Sequence, residues 1–233
     1  MPASPLNPSP NTPKSFEALL SAAQGHLDEV HAMLLMGAES VQMHRTACPF
    51  AIADSLISLV SGFSTVVYRS TLKPGNSGHR FRRLLLEHYP WESEPADGIG
   101  KERGPGLLYD AFRNPGSHAL RLSTVNEGGL WRMEAPGSVD RKIWVVRQLP
   151  RGVESWSEES LLQIEQSQTW PDSLFLATLS EESKRDKTNI RLSVDALHWG
   201  VRRLIESLTH SPKRMEVAAW FLREHEGVPQ VDG

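Results

Sequence analysis

Two long segments near the beginning of the chain carry apolar residues at helical spacing, and this periodicity limits the fold more than any other feature. The segments cover residues 16–41 and 52–67, and in each the apolar side chains recur every three or four positions. Such a repeat gives a helix one apolar stripe, which must be buried against other elements. The first helix is predicted to end near His44 and the second before Lys73, and the short link between them favours an antiparallel pair.

The second half of the chain predicts a β-hairpin and further helices. The runs 130–133 and 142–149 are rich in β-forming residues and flank a Pro-Gly turn signal, a pattern typical of a hairpin. Helical spacing returns over 190–208, with Ser193 as the expected N-cap. A last helix is expected to open at Ser211.

The region between the hairpin and the C-terminal helices is less regular. A short helix is predicted over 158–168, because Ser155 and Glu158 have the spacing of a capping box. The run 173–179 is too short to distinguish strand from helix, and the charged residues 180–189 predict a loop.

These elements predict a mainly α protein, an antiparallel helical bundle with a small β-hairpin insertion before the last helices. The N-terminal residues are rich in Pro, Ser and Asn, a composition that favours disorder. The predicted units are a disordered tail (1–14), a helical bundle segment (15–122), a hairpin and loop insertion (123–189), C-terminal helices that complete the bundle (190–226) and a second disordered tail (227–233).

Charge and composition narrow the classes of function. The formal net charge of −3 argues against a globally basic nucleic-acid coat, so any contact with nucleic acid must use a local patch. The single Cys48 excludes an internal disulfide and a Cys-rich zinc site, which fits a reducing cytoplasm. No targeting segment and no apolar run of ~18 residues is evident, so we expect a cytoplasmic protein without a membrane segment.

One stretch, residues 107–122, places polar groups where a helix should be apolar. Arg113 and Asn114 lead into Pro115, and His118 follows after Gly and Ser. Proline lacks a backbone donor and disfavours the helical conformation of the residue before it, so the helix is expected to break here. A permanent cation, an amide and a titratable imidazole at such a break suggest a functional site.

A similar Arg-to-His spacing, of five to seven positions, occurs by chance elsewhere, at Arg83–His88, Arg191–His198 and Arg203–His210. Arg113 differs from these because Asn and small turn-forming residues follow it. No two of three other histidines, His26, His31 and His44, stand three or four residues apart, and we interpret them as solvated helix residues rather than metal ligands.

The Arg113–Asn114–His118 motif resembles that of the HEPN superfamily, small helical bundles with an Arg, usually followed by Asn, His or Asp, and a His four to six residues after the Arg. The resemblance implies a homodimer whose two motifs converge in one cleft and cut RNA without a metal or other cofactor. In that reading Arg113 binds the phosphate, His118 transfers the proton, and Asn114 orients one of them. A toxin or defence effector of this type also implies an antitoxin or an activating protein partner.

Basic residues around the motif form a candidate RNA-binding set. These residues are Arg80, Arg82, Arg83, Lys101, Arg103 and Arg121. The alternative for the dense part of the set, over 79–88, is a solvated helix face with Phe81, Leu84 and Leu85 turned inward.

A surface loop is predicted over 90–106, with Gly104 as the N-cap and Pro105 as the first residue of the helix that leads to the motif.

Three hypotheses for the function therefore remain open. The first is a HEPN-type RNA endonuclease. The second is a HEPN-like module that binds RNA, nucleotide or a protein partner without cutting. The third is a plain helical domain in which Arg113 and His118 only cap a broken helix. A structural break does not require both side chains, which argues against the third hypothesis but does not separate the first two.

Overall fold

A computed structural model gives the fold, and it is mainly helical. The helices are α1 (Lys14–Ser40), α2 (Pro49–Tyr68), α3 (Ser77–His88), α4 (Gly104–Leu108), α5 (Glu158–Gln166) and α6 (Val194–Thr209). The strands are β1 (Val125–Glu127), β2 (Leu130–Glu134), β3 (Arg141–Val146), β4 (Phe175–Leu179) and β5 (Thr188–Ser193). The structure describes residues 14–40, 49–68, 77–92, 99–110, 125–127, 130–134, 141–147, 153, 157–167, 175–179, 188–211 and 218.

The core lies around α2, which packs against α1, α3 and α6. Phe16 and Leu27 of α1 and Phe63 of α2 are at most 1% exposed, so the apolar stripes predicted from the periodicity are the buried faces. The stretch Ala51–Tyr68 is long and apolar enough to cross a membrane, but half of it is buried inside the protein. That burial is typical of a helix at the centre of a helical bundle.

The β insertion is larger than the predicted hairpin. β2 and β3 pair antiparallel as expected, but they belong to a five-stranded sheet in the order β1-β2-β3-β5-β4. β3 and β5 run parallel, with Ile143 opposite Ile190, and β4 joins β5 antiparallel. A two-stranded hairpin is marginal in water, whereas three or more strands packed against helices are stable, which gives the physical reason for the larger sheet.

The beginning of the C-terminal helix corrects a second prediction. Ile190 was expected on the helix, but β5 continues to Ser193 and α6 begins at Val194. Strand β5 therefore crosses the predicted boundary between the insertion and the C-terminal helices. Ser193 caps α6 as predicted, because its hydroxyl accepts a hydrogen bond from the Ala196 N–H at 3.2 Å.

Local signals placed the N-caps of two other helices one or two residues away from their true positions, although α5 begins at Glu158 as predicted. The capping box of α5 is formed by Ser157 and Ser160, not by Ser155 and Glu158, and the helix ends at Gln166. The N-cap of α4 is Arg103, so Gly104 is already helical.

Part of the predicted surface loop over 90–106 belongs to the core. Ile99 is 5% exposed, and the Trp91 indole packs on Tyr89, with 4.6 Å between ring centroids, while its Nε1 donates to the Leu85 carbonyl. The uncertain run 173–179 contains β4. The predicted tail up to residue 13, the second tail and most of the last predicted helix lie outside the described residues, although Ala218 is helical and buried.

Candidate functional site

The motif residues lie outside the described part of the chain, but the helix that leads to them does not. Arg113, Asn114, His118 and the predicted RNA-binding Arg121 come three to eleven residues after Asp110 in the sequence. The structure shows the segment that leads to the motif. This approach consists of α4, the two residues after it and the face of α3 against which they pack.

Tyr109 fixes the end of α4 against the first turns of α3. Its ring lies 5.6 Å from that of Phe81, and its hydroxyl is 3.3 Å from the Ser77 hydroxyl. Tyr109 lies this close to α3 because Gly78 has no side chain, and a Cβ there would lie 2.8 Å from the Tyr109 ring. The glycine therefore permits the contact that holds the last described residues before the motif.

Arg82 holds the same segment from the solvent side. Its guanidinium lies 4.9 Å from the centroid of the Tyr109 ring, and its Nη2 donates to the Asp110 carboxylate at 2.9 Å. The Arg82 and Asp110 side chains are 42% and 63% exposed, so this pair contributes ~0–1 kcal/mol to stability. Its consequence for recognition is larger, because Asp110 neutralises one cation of the predicted RNA-binding set.

Arg83 is neutralised in the same way. Its Nε donates to the Glu87 carboxylate at 2.7 Å, one helical turn further along α3. This hydrogen bond raises the pKa of the Arg83 guanidinium above its ordinary value. Glu87 also accepts a 2.6 Å hydrogen bond from the Tyr68 hydroxyl, so Arg83 belongs to a polar group that joins α2 and α3.

The remaining described cations of the set differ in exposure. Lys101 and Arg103 are exposed in the turn before α4 and remain accessible to a ligand. Arg80 is only 9% exposed, so it lies largely inside the protein with Phe81, Leu84 and Leu85. The apolar residues of α3 do turn inward, as the alternative interpretation predicted, while Arg82 and Arg83 occupy the wet face.

Sequence reasoning missed a buried charged cluster centred on Glu165 of α5. His31, predicted to be solvated, is 1% exposed, and its Nδ1 lies 2.6 Å from the Glu165 carboxylate. His198 Nδ1 is 3.9 Å from the same oxygen, and the guanidinium of Arg202 is 3.7 Å from the other. No local signal marks this cluster, because its members come from α1, α5 and α6.

The burial of the cluster shifts the pKa values of its members. Burial raises the pKa of the Glu165 carboxyl, but the hydrogen bond with His31 and the electrostatic attraction of the neighbouring His198 and Arg202 side chains outweigh it, so the pKa lies below its ordinary value. Burial lowers the pKa of His198 to about 4, against the opposing charge of Glu165. At neutral pH the cluster therefore holds an ionised Glu165 and a neutral His198.

This cluster anchors the insertion to the bundle. Arg203 of α6 donates to the carbonyls of Glu165 and Ser167 at 2.8 and 2.6 Å, which satisfies the C-terminal end of α5. Trp199 is buried at 4% exposure, as predicted for a packing residue, and its Nε1 donates to the Ser167 carbonyl at 3.0 Å. Side chains this deeply buried cannot meet a large substrate, so we assign them to structure.

A second buried ion pair joins the sheet to the helices. Arg147, which follows β3, donates to the Asp195 carboxylate of α6 at 3.0 Å and to the Leu34 carbonyl of α1 at 2.6 Å. The Arg147 and Asp195 side chains are 7% and 2% exposed. Removing one partner of such a pair leaves a buried charge and is strongly destabilising.

One further pair of residues has the distances of a nucleophile and its base. The Ser55 hydroxyl lies 2.7 Å from His26 Nε2, and Glu29 lies 3.9 Å from the other ring nitrogen. Acyl transfer also needs unoccupied N–H donors beside the nucleophile. Ser55 sits inside α2, where the backbone N–H groups are used by the helix, so the arrangement lacks that element. His26 is thus hydrogen-bonded to Ser55 and, with a side chain that is 32% exposed, only partly solvated.

Metal binding and similarity to known proteins give no further indication of the function. Within the described ranges, no group of three His, Cys, Asp or Glu side chains is placed to hold a metal ion. The sequence matches no protein-family model, and comparisons with the curated proteins and with the solved structures find no match.

Proposed function

We propose that this protein is an RNA endonuclease of the HEPN type that works without a metal in the cytoplasm, as a toxin or defence effector. The observation that carries the proposal is the position of the motif. Arg113 comes three residues after Asp110, whose carboxylate is held by Arg82 of α3. Because a chain extends by at most ~3.6 Å per residue, Arg113 begins the motif within ~11 Å of that anchored point.

The anchored approach gives the motif a rigid base on the helical bundle. Catalytic groups act efficiently only when the surrounding structure holds them close to their working geometry. Tyr109 and Arg82 supply such support immediately before the motif, from a helix that is itself packed on α2. A helix pair formed by α1 and α2 in antiparallel orientation would agree with the HEPN arrangement.

The proposed reaction needs a cation to bind the phosphate, a base and an acid, and no metal ion. Arg113 binds the scissile phosphate through its planar guanidinium. His118 removes the proton from the ribose 2′-hydroxyl, whose oxygen attacks the phosphorus and displaces the 5′-oxygen of the next nucleotide. The displaced 5′-oxygen takes a proton from an acid, and the products are a 2′,3′-cyclic phosphate and a 5′-hydroxyl end. Asn114 orients the phosphate or the imidazole.

One motif supplies a single imidazole, whereas base and acid are both required. We therefore propose a two-fold homodimer in which the motifs of two subunits face each other. Lys101 and Arg103, exposed in the turn before α4, would guide the RNA backbone to the cleft. Light scattering at micromolar concentration tests the assembly, and a monomeric mass under conditions of cleavage would contradict it.

The central experiment compares His118→Ala with a matched histidine variant. His210 is the suitable control, because it is exposed at the end of α6 and follows Arg203 by seven residues. His88 and His198 are less suitable, because His88 contacts the Ser207 hydroxyl at 2.9 Å and His198 is buried. We expect His118→Ala to lower RNA cleavage ~10²–10⁴-fold and His210→Ala to leave it unchanged, with cleavage by the parent protein persisting in excess EDTA.

Two further results complete this test. Circular dichroism of His118→Ala should match that of the parent protein, which separates lost chemistry from lost folding. Equal cleavage by the parent protein and His118→Ala would refute the catalytic assignment.

A second candidate function is supported by the charge pairing on α3. Arg82 and Arg83 are both held by carboxylates, which weakens the attraction of this face for phosphate. A HEPN-like module that binds RNA, nucleotide or a protein partner without cutting fits that arrangement. This function would be favoured if the protein bound RNA without cutting it. The same result should hold after a cellular extract is added to supply an activating partner.

A further inference from the structure

Arg80 is a cation without a counter-charge in the part of the chain that the structure describes. The residue is 9% exposed, and its Nε is buried and makes no hydrogen bond. No carboxylate among the described residues forms an ion pair with it. Taking a charge out of water is costly unless a partner compensates for it, so an uncompensated guanidinium at this depth requires an explanation.

The neighbouring arginines of the same helix show the contrast. Arg82 reaches Asp110 at 2.9 Å and Arg83 reaches Glu87 at 2.7 Å, although both side chains are much more exposed than Arg80. The residues that need a counter-charge least therefore have one, whereas the residue that needs it most does not. Among the three, only Arg80 keeps its full charge for an external anion.

The position of Arg80 in α3 strengthens this argument. The helix begins at Ser77 and has no acidic residue in its first turn. The first four N–H groups of a helix have no acceptor within it, and they form the positive end of the helix dipole. A helical side chain leans toward the N-terminus of its helix, so the Arg80 stem extends over this first turn. A cation at the positive end of a helix destabilises the protein unless an anion joins it.

We propose that Arg80 and the first turn of α3 form a binding site for a phosphoryl group. The guanidinium donates to two phosphate oxygens, and the N–H groups of the first helical turn, which have no acceptor within the helix, donate to the third, an arrangement that helix N-termini offer to phosphate in general. This inference deepens the proposed function by assigning a phosphate subsite, and it rests on that function only for RNA as the source of the phosphate.

Inorganic phosphate is the first probe, and the melting temperature is the readout. Phosphate is titrated at constant ionic strength against the full-length parent protein, Arg80→Met and Arg191→Met. Arg191 provides the matched control, because it is an exposed arginine on β5 that loses the same charge. We expect the melting temperature of the parent protein and of Arg191→Met to rise with phosphate and to saturate. The phosphate affinity of Arg80→Met should be weaker by roughly 10- to 100-fold, because charge-assisted hydrogen bonds are lost.

The melting temperature without phosphate gives a second readout that a purely structural role would not produce. Methionine keeps most of the buried stem of Arg80 and removes the uncompensated charge. Arg80→Met should therefore melt at the same temperature as the parent protein or above it in phosphate-free buffer. A decrease of several degrees, or an equal response to phosphate in all three proteins, would overturn the proposal.

Amide chemical shifts of the parent protein keep the test decisive if Arg80→Met does not fold. Added phosphate should shift the backbone amides of residues 77–80 and leave those of α6 unchanged. A shift map centred elsewhere on the molecule would place the anion outside the proposed site and overturn it.

Short single-stranded oligouridylate distinguishes RNA from free phosphate compounds as the ligand. If the RNA backbone occupies the site, Arg80→Met should weaken RNA binding and lower the slope of its salt dependence by ~1, whereas Arg191→Met should not. A phosphate response without an effect on RNA keeps the subsite and assigns it to a free phosphate compound. The comparison of phosphate binding between the parent protein and Arg80→Met does not depend on RNA cleavage, so failure of the nuclease proposal does not imply failure of this one.

Discussion

Gly200→Ala should destabilise the protein, although alanine is the better helix former. Gly200 is a buried residue of α6, and a Cβ at this position would lie 2.2 Å from the ring of Tyr89. Ordinary carbon contacts are ~3.5–4.0 Å, so the ring must withdraw by more than ~1 Å. Tyr89 has little room to do so, because it is 7% exposed, stacks on Trp91 and donates to the Ala196 carbonyl at 3.3 Å.

The expected magnitude follows from opposing contributions. Overpacking of a filled core costs about 1–3 kcal/mol, and loss of the Tyr89 hydrogen bond adds about 1 kcal/mol. Replacing glycine within a helix returns about 1 kcal/mol. The net loss is therefore about 1–3 kcal/mol, which for a chain of this size corresponds to a decrease in melting temperature of roughly 2–12 °C.

The helices contain two matched controls for this change. Gly25 in α1 and Gly62 in α2 are exposed, and a Cβ at either position would have no atom within 4 Å. Gly25→Ala and Gly62→Ala should therefore raise the free energy of unfolding by ~0.5–1 kcal/mol. Urea and thermal unfolding of the three variants measure the difference in sign.

A double-mutant cycle tests the cause directly. With the ring removed by Tyr89→Ala, adding Gly200→Ala should no longer destabilise the protein and should approach the effect seen at Gly25. If Gly200→Ala stabilised the protein as much as Gly25→Ala does, the close packing of α6 on Tyr89 would be refuted.

Two more predictions concern the buried cluster and the helix caps. Folded His198 has a pKa of about 4, below the ordinary value near 6.5, so the unfolded chain binds more protons between these limits and stability should fall as the pH falls from 6.5 to 4, by on the order of 3 kcal/mol. The lowered pKa of Glu165 adds a loss below its ordinary value of 4.5. Urea unfolding from pH 7 to 4 measures the combined loss of unfolding free energy. If this free energy fell as steeply with pH in His198→Gln as in the parent protein, the assignment of the loss to His198 would be contradicted. Ser193→Ala should lower the free energy of unfolding by about 1–2 kcal/mol, which is more than Ser157→Ala should. The Ser193 cap is buried, so its loss leaves the Ala196 N–H unpaired, whereas the Ser157 cap is exposed. Equal losses in denaturant melts would show that burial of the cap has no effect.

The sequence by itself determined the helices and their buried faces. The periodicity over 16–41 and 52–67 predicted α1 and α2, because a stripe of apolar side chains every three or four residues can be buried only in a helix. The same logic placed Phe81, Leu84 and Leu85 on the inner face of α3, and Ser193 at the start of α6. Each of these features depends on residues close together in the chain.

The sequence also determined the motif at Arg113, Asn114 and His118, which lies outside the described residues and remains a prediction. Its approach was only partly predictable. The basic run on α3 was visible in the sequence, but which of its arginines are paired depends on Asp110, a residue that belongs to a different element. Pairing of Arg83 with Glu87, one turn away, was within reach of local reasoning.

Tertiary structure alone decided the sheet and the buried charges. The parallel pairing of β3 with β5 joins segments more than forty residues apart, and it turned the start of an apolar helical pattern, Ile190–Ser193, into a strand. His31 of α1 is buried because Glu165 of α5 lies against it, 134 positions away in the sequence. A local pattern records only which side of an element is apolar. The partner that covers that side, or that compensates a charge within it, is selected by packing between distant segments, where burial and long-range hydrogen bonds outweigh local propensity.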